Sequence, residues 1–161
     1  MIQQNPIIPA TLYEADETAW LEVTADLIRQ GRFDAIERET LAEYLTDMAK
    51  RDRREVFSRL VVLLSHLLKW KYQPDHRARS WRGTILEQQR ELRQLLESGT
   101  LRNHALAAFA DAYADARKQA AADTGMARAA FPEECGWDLD SALADWDENS
   151  EQAASADPPR E

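Results

Sequence analysis

The stretch Thr40–Tyr72, TLAEYLTDMAKRDRREVFSRLVVLLSHLLKWKY, holds neither Gly nor Pro. Read as one helix it would be about 50 Å long, at about 1.5 Å per residue. Its three parts differ. The first carries a narrow apolar stripe, Leu41, Leu45 and Met48. The middle, Lys50 to Glu55, is wholly charged and must face water or charged partners. The last is apolar on a wide face: Val56, Phe57, Leu60, Val61, Leu63, Leu64, Leu67 and Leu68. A helix apolar over that much of its circumference is contacted from more than one side, which makes it the central element of a helical fold. Pro74 ends it, because the residue before a proline avoids the helical region.

Working outward, Leu12–Gln30 is expected to form a helix on the stripe Leu12, Trp20, Val23 and Leu27, with Gly31 as its stop. Asp16 lies on the same stripe, so a buried carboxylate there needs a partner. A short connection, Arg32–Arg38, leads into the long helix. Beyond it, a polar loop, Gln73–Ala78, precedes a helix over Ser80–Glu97 with Trp81, Ile85, Leu92, Leu95 and Leu96 on its apolar face. Thr100 is read as the N-cap of a further helix, Leu101–Asp123, which would bury Leu101, Ala105, Phe109, Ala112, Tyr113 and Ala116. Gly125 stops it. An irregular stretch around Phe131–Trp137 follows, then a short helix, Leu139–Trp146, capped by Asp138. The expectation is an all-α, bundle-like fold: four main helices with one long central helix, a short C-terminal helix and a disordered acidic tail. Residues 1–10 are expected to be an N-terminal extension, 11–147 a single helical domain, and 148–161 the tail.

The chain has 161 residues, and its apolar fraction of 44% is enough for a real core. A single cysteine, Cys135, excludes an internal disulfide and suits a reducing compartment. Met1–Ala10 has no basic start or apolar run, so it does not read as a signal peptide. The most apolar run, Leu60–Leu68, is far too short to span a bilayer, and no membrane association is expected. These features point to a cytoplasmic protein.

Net charge is −9 and unevenly spread. Residues 1–49 carry three Arg and ten acids. Residues 50–93 carry twelve Lys or Arg and five acids. Residues 133–161 carry one Arg and ten acids. A basic middle between acidic ends reads either as solvated or mutually neutralising helix faces or as a surface for an acidic partner.

The screen for chemistry is mostly negative. Five scattered Gly supply no phosphate loop or dinucleotide fingerprint. There is no Cys-x-x-Cys pair, no Gly-x-Ser-x-Gly elbow, and no Glu-x-x-His pair of the kind a bundle-core di-iron site requires. His66, His76 and His104 could in principle meet at a divalent metal, but His76 lies among arginines that repel a cation, so no metal site and no cofactor are expected. Cys135 sits in an acidic neighbourhood, which raises a thiol pKa and argues against a nucleophile. No residue is assigned as catalytic. Glu39, Glu43 and Asp47, at i, i+4 and i+8, form an acidic ridge that is either solvated or set against a basic helix.

The densest region is His66–Arg82, HLLKWKYQPDHRARSWR. His66 and Trp70 share a helical face, and Arg77, Arg79 and Arg82 surround Trp81. Guanidinium groups among aromatic rings stack well and bind carboxylate or phosphate bidentately. The same residues can simply lock a helix–loop–helix corner, with acids such as Asp16, Glu39, Glu43 and Asp47 neutralising the arginines. Both readings are open. The candidate ligand or partner site is therefore Asp16, Trp20, His66, Trp70, Arg77, Arg79, Trp81 and Arg82.

The strings LYEAD at Leu12–Asp16, HLLKWKYQP at His66–Pro74 and SWRGTI at Ser80–Ile85 resemble a bacterial family, domain of unknown function number twenty-nine. AYADAR at Ala112–Arg117, Thr124–Gly125 and FPEEC at Phe131–Cys135 extend the resemblance to about Thr11–Trp146. Gly136 departs from it where the family often has Pro after the Cys. The resemblance implies an all-helical fold, a bacterial source and no established activity. It supplies no catalytic residues. It marks Asp16, Trp20, His66, Trp70, Arg79, Trp81 and Arg82 as members of the family pattern.

Two functional expectations follow. One is a non-enzymatic helical protein-interaction module, with another protein or a second copy as partner. The alternative is an enzyme or small-ligand site at the junction, with His66 as acid–base, Arg79 and Arg82 clamping an anion, and Trp70 and Trp81 as walls. Nucleic-acid binding is disfavoured. The acidic first helix and C-terminal segment can sit within about one Debye length, roughly 8 Å, of the basic residues and are expected to cancel their field, net charge −9 opposes attraction to a polyanion, and the sequence carries no helix-turn-helix, finger or sheet-platform signature. Fluorescence anisotropy at about 150 mM salt is expected to show no binding of single- or double-stranded oligonucleotides. Micromolar, steeply salt-sensitive binding lost on Arg77, Arg79 and Arg82→Ala would overturn this.

Overall fold

A computed structural model describes residues 12–145. The N-terminal extension expected over 1–10 and the acidic tail over 148–161 lie outside the described residues. Within them the fold is all-α and bundle-like. The helices are α1 (Leu12–Ala15), α2 (Glu17–Arg29), α3 (Arg38–Tyr72), α4 (Arg79–Leu95), α5 (Gly99–Thr124) and α6 (Leu139–Leu143). Single 3-10 turns occupy Phe33–Ala35, Pro74–His76 and Arg128–Ala130. No described helix is long and apolar enough to cross a membrane.

The chain divides into two compact units, Met1–Arg51 and Asp52–Glu161, and the division falls within α3. It coincides with the wholly charged run Lys50–Glu55.

In the first unit the helix expected over Leu12–Gln30 is broken at Asp16. Asp16 has extended backbone angles, and its carboxylate accepts a hydrogen bond from the Ala19 amide at 2.9 Å, capping α2. The expected buried stripe position is thus an exposed N-cap. Capping satisfies an amide that a helix start leaves unpaired, and Asp is among the best residues for it. Among the described residues of this unit, Trp20 and Leu27 are the buried apolar side chains, with Tyr13, Leu21, Ile36, Leu41 and Tyr44 packed around them. Tyr13 and Tyr44 meet Trp20 at ring-centroid distances of 5.0 and 5.6 Å. Thr24 is buried one turn after Trp20, and neither its hydroxyl nor the Trp20 indole N–H has a hydrogen-bond partner among the described residues. Leu45, expected on the apolar stripe, is exposed; Tyr44 takes the packing position instead.

The second unit has the larger core. Val56, Leu60, Leu63, Leu64, Leu67 and Leu68 of α3 are buried, as the wide apolar face requires. Ile85, Leu92 and Leu96 cover them from the α4 segment, and Ala105, Ala112, Tyr113, Ala116 and Ala120 from α5. Trp81, Leu95, Leu101 and Phe109, expected on buried faces, are only partly buried. The N-cap of α5 is Ser98, not the expected Thr100, and accepts from the Leu101 amide. Gly125, at φ +70°, closes α5 in the left-handed conformation that glycine adopts without steric cost.

The segment after Gly125 has little regular structure, and side chains satisfy its carbonyls. Arg117, itself buried, donates to the Phe131 carbonyl at 2.9 Å, and the Tyr113 hydroxyl to that of Pro132 at 2.8 Å. Buried Gln89 donates to the carbonyls of Ala142 and Ala144 at 3.0 and 2.9 Å. These bonds hold Phe131, Leu139, Ala142 and Leu143 in the core. Asp138 caps α6 as expected, in a reciprocal box with Ser141.

The Asp16 cap makes a direct prediction. Asp16→Ala is expected to destabilise α2 by about 1 kcal/mol, the usual cost of losing such a cap, whereas Asp16→Asn largely preserves it. Urea unfolding followed by Trp fluorescence compares the two. Equal losses in both variants would contradict capping as the role of Asp16.

Candidate functional site

The structure distributes the eight candidate residues between the two units. Asp16 and Trp20 belong to the first, as cap and core. His66, Trp70, Arg77, Arg79, Trp81 and Arg82 belong to the second, around the turn from α3 to α4.

At that turn the organising residue is Lys69, which sequence reasoning did not single out. It lies on the inner face of α3 and is only 4% exposed. An ammonium so far from water needs an anion and hydrogen bonds. Both come from Asp123, near the end of α5, whose Oδ2 is 2.8 Å from Nζ. The other oxygen of Asp123 accepts from Gln119 at 2.7 Å. The Trp81 ring of α4 lies 5.3 Å from the ammonium, in cation–π range. One side chain therefore ties α3, α4 and α5 together.

His66 joins the same network. Its Nδ1 lies 2.8 Å from the Val62 carbonyl, one turn earlier. A carbonyl only accepts, so Nδ1 carries the proton and the neutral ring presents the Nε2 lone pair. Lys69 Nζ sits 3.4 Å from Nε2 and donates to it. Burial lowers the His66 pKa, and the Lys69 charge adds to the effect against the opposing Val62 and Asp123 contributions. Burial opposes ionisation of Asp123, but the Lys69 and Gln119 hydrogen bonds and the Lys69 charge outweigh it and hold the carboxyl below its ordinary value.

The arginines are arranged more loosely. Arg77 stacks on Trp70, its guanidinium carbon 4.9 Å from the ring centroid, and its Nε donates to the Trp70 carbonyl at 2.9 Å. That bond satisfies a carbonyl in the last turn of α3, which has no partner within the helix. Arg79 and Arg82 are exposed. The acid that meets the buried cation Lys69 comes from α5.

The histidines occupy separate elements: His66 on α3, exposed His76 in the following 3-10 turn, and His104 on α5. Among the described residues no group of three or more His, Cys, Asp or Glu side chains is placed to hold a metal ion. Cys135 is half-buried, and burial is the main cause of its raised thiol pKa, where the sequence suggested acidic neighbours.

The chain belongs to the family described as Domain of unknown function DUF29, which it matches over residues 12–147. No curated protein and no solved structure matches it.

The network predicts an asymmetry. Asp123→Ala leaves the ammonium of Lys69 buried and unpaired and is expected to cost about 3 kcal/mol. Lys69→Met leaves Asp123 with a third of its side chain open to water (34%) and is expected to cost about 1 kcal/mol. Equal losses in urea unfolding would argue against this account. The pH dependence follows from His66. Its folded pKa lies below the unfolded value, so the unfolded chain binds a proton that the folded chain refuses. Stability is therefore full above the unfolded pKa, near 6.5, and falls with pH below it. The Asp123 contribution is lost only at lower pH, below its own unfolded value near 3.8. His66→Gln is expected to flatten the slope of stability between about pH 6.5 and 5, measured by urea midpoints against the wild type.

Proposed function

We propose that this chain is a non-enzymatic helical protein-interaction module and that its first unit is the binding element. The carrying observation is an imbalance in that unit. Among its described residues two apolar side chains, Trp20 and Leu27, form the buried core, while Val23, Ile28, Phe33 and Leu45 are exposed at 40, 45, 60 and 56%. A unit of this size, Met1–Arg51, buries a smaller share of its surface than a larger domain does and is correspondingly marginal. Large apolar side chains left in water on such a unit support a partner surface. The two unsatisfied polar groups beneath it, on Trp20 and Thr24, weaken it further.

The alternative, a small-ligand or anion-binding enzyme at the His66–Arg82 junction, draws less support. Both ring nitrogens of His66 already bind protein groups, which leaves no free position for acid–base work. Arg77 and Trp70 bind each other, and Lys69, Asp123 and Trp81 form a second self-contained set. The corner-locking reading accounts for these contacts without a ligand. A reducing, cytoplasmic setting fits the lone Cys135, and neither nucleic acid nor membrane is part of this reading.

Chemical cross-linking in extract of the source cells, followed by mass spectrometry, tests the module. One protein, another chain or this one, is expected to cross-link to the wild type and to be lost with Leu45→Glu. No species dependent on Leu45 would overturn the reading.

A further inference from the structure

We propose that the surface of α4 and α5 on which α6 lies is a receptor groove for a short acidic helix of a partner protein, and that α6 is its tethered occupant. The groove belongs to the second unit, apart from the binding element proposed above. α6 has five residues, too few for a helix that is stable by itself, so docking is what orders it. Its buried side chains form a peptide-like pattern. Leu139, Ala142 and Leu143, at i, i+3 and i+4, are 2, 1 and 7% exposed, while Asp140 and Ser141 between them are open to water. α6 packs on both α4 and α5, and its three side chains join Leu92, Leu96 and Ala105 in one cluster. An amphipathic helix laid into a groove on such anchors is a recurring mode of peptide recognition. The chain before α6 is fixed separately, by Arg117 on the Phe131 carbonyl and Tyr113 on that of Pro132. Release of α6 therefore leaves those anchors in place.

The polar contacts define the chemistry of the occupant. Gln89 of α4 donates to the carbonyls of Ala142 and Ala144 at 3.0 and 2.9 Å. The last carbonyls of any helix lack partners within it, so this grip reads a helix end and not a particular sequence. Arg102 of α5 meets Asp140 at 2.7 Å, and Arg93 of α4 meets Asp145 at 2.6 Å. The two arginines thus select a helix with a carboxylate after its first anchor and another beyond its end. Both acids are largely exposed, so the pairs add little affinity and act on orientation and choice of partner. α6 does not exhaust the groove: the buried Gln89 Oε1 has no hydrogen-bond partner among the described residues. A ligand that brings an N–H or O–H there gains a bond that α6 does not make. The fitting partner is a helix of pattern Leu-x-x-small-Leu with acids at those two places. A short tether holds α6 at an effective concentration in the millimolar range, so α6 shields the groove until such a partner competes.

The probe is a labelled peptide, WDLDSALAD, with the sequence of residues 137–145, added to the full chain. In the variant Leu139→Asp with Leu143→Asp, α6 would have to bury two carboxylates and leaves the groove. Fluorescence anisotropy is expected to show the peptide binding this variant with a Kd of roughly 10 to 500 μM, the weak affinity that three small anchors allow. The wild type, whose groove is filled, is expected to bind at least about tenfold more weakly. A peptide with Asp140→Lys and Asp145→Lys is expected to lose about tenfold on the variant, and Arg93→Glu with Arg102→Glu to restore it. A second measurement needs no variant. In the wild type, about 5 mM unlabelled peptide, above the effective concentration of the tether, is expected to move the Ala142 amide resonance toward its unfolded position while that of Leu64 stays. Absence of binding to a variant that keeps its helical circular dichroism overturns the proposal, as does a charge reversal that fails to restore it. If the variant loses its helical signal, an Ala142 resonance that stays fixed in the wild type overturns the proposal.

Discussion

The second half of α3 is apolar around most of its circumference, and no single neighbour can cover such a helix. Removing that surface from water is worth about 25 cal/mol per Å², so the rest of the unit is arranged to supply cover. The α4 and α5 segments pack their apolar faces on Leu60, Leu63, Leu64 and Leu68, and the irregular segment and α6 add Phe131, Leu139 and Leu143. Lys69 is the exception that this burial forces. It follows Leu67 and Leu68 on the same inner face and is carried into the core with them. Its charge then has to be answered from the covering helices, through Asp123 and Trp81.

That logic separates what was legible in the sequence from what was not. The wide face of Val56–Leu68 specifies a central helix without knowledge of its neighbours, and Pro74 and Gly125 end α3 and α5 through backbone constraints that are local. Fold class and the end of each long helix are therefore readable. Asp16 and Ser98 were harder, because any of several polar residues near a helix start can cap it. The choice depends on where the backbone leaves the helical region. Leu45 and Tyr44 are a similar case: adjacent residues offer different flanks of one helix, and only the position of Trp20 decides which is buried.

At the candidate site, the dense aromatic and basic string His66–Arg82 forms the turn from α3 to α4, but the residue at its centre was passed over. A lysine after two leucines reads as the solvated end of an apolar run. Its partner, Asp123, lies far along the chain, and nothing in the sequence couples the two. Within the first unit, Asp16 caps α2 and Trp20 lies in the core.

The bonds from Gln89, Tyr113 and Arg117 to the segment after Gly125 have a consequence for how the chain tolerates change. A segment held through its own side chains loses its place when those are replaced. Here the bonds run the other way: three side chains on long helices grip main-chain carbonyls that every residue type possesses. Positions such as Glu133, Glu134 and Gly136 are therefore free to vary in identity, provided Phe131, Leu139 and Leu143 still fill the core. Part of the specification of this stretch is written elsewhere, in α4 and α5. A change at Arg117 removes the hydrogen bond to the Phe131 carbonyl fourteen positions away, whereas a polar change at the exposed Glu133 removes none of the three bonds.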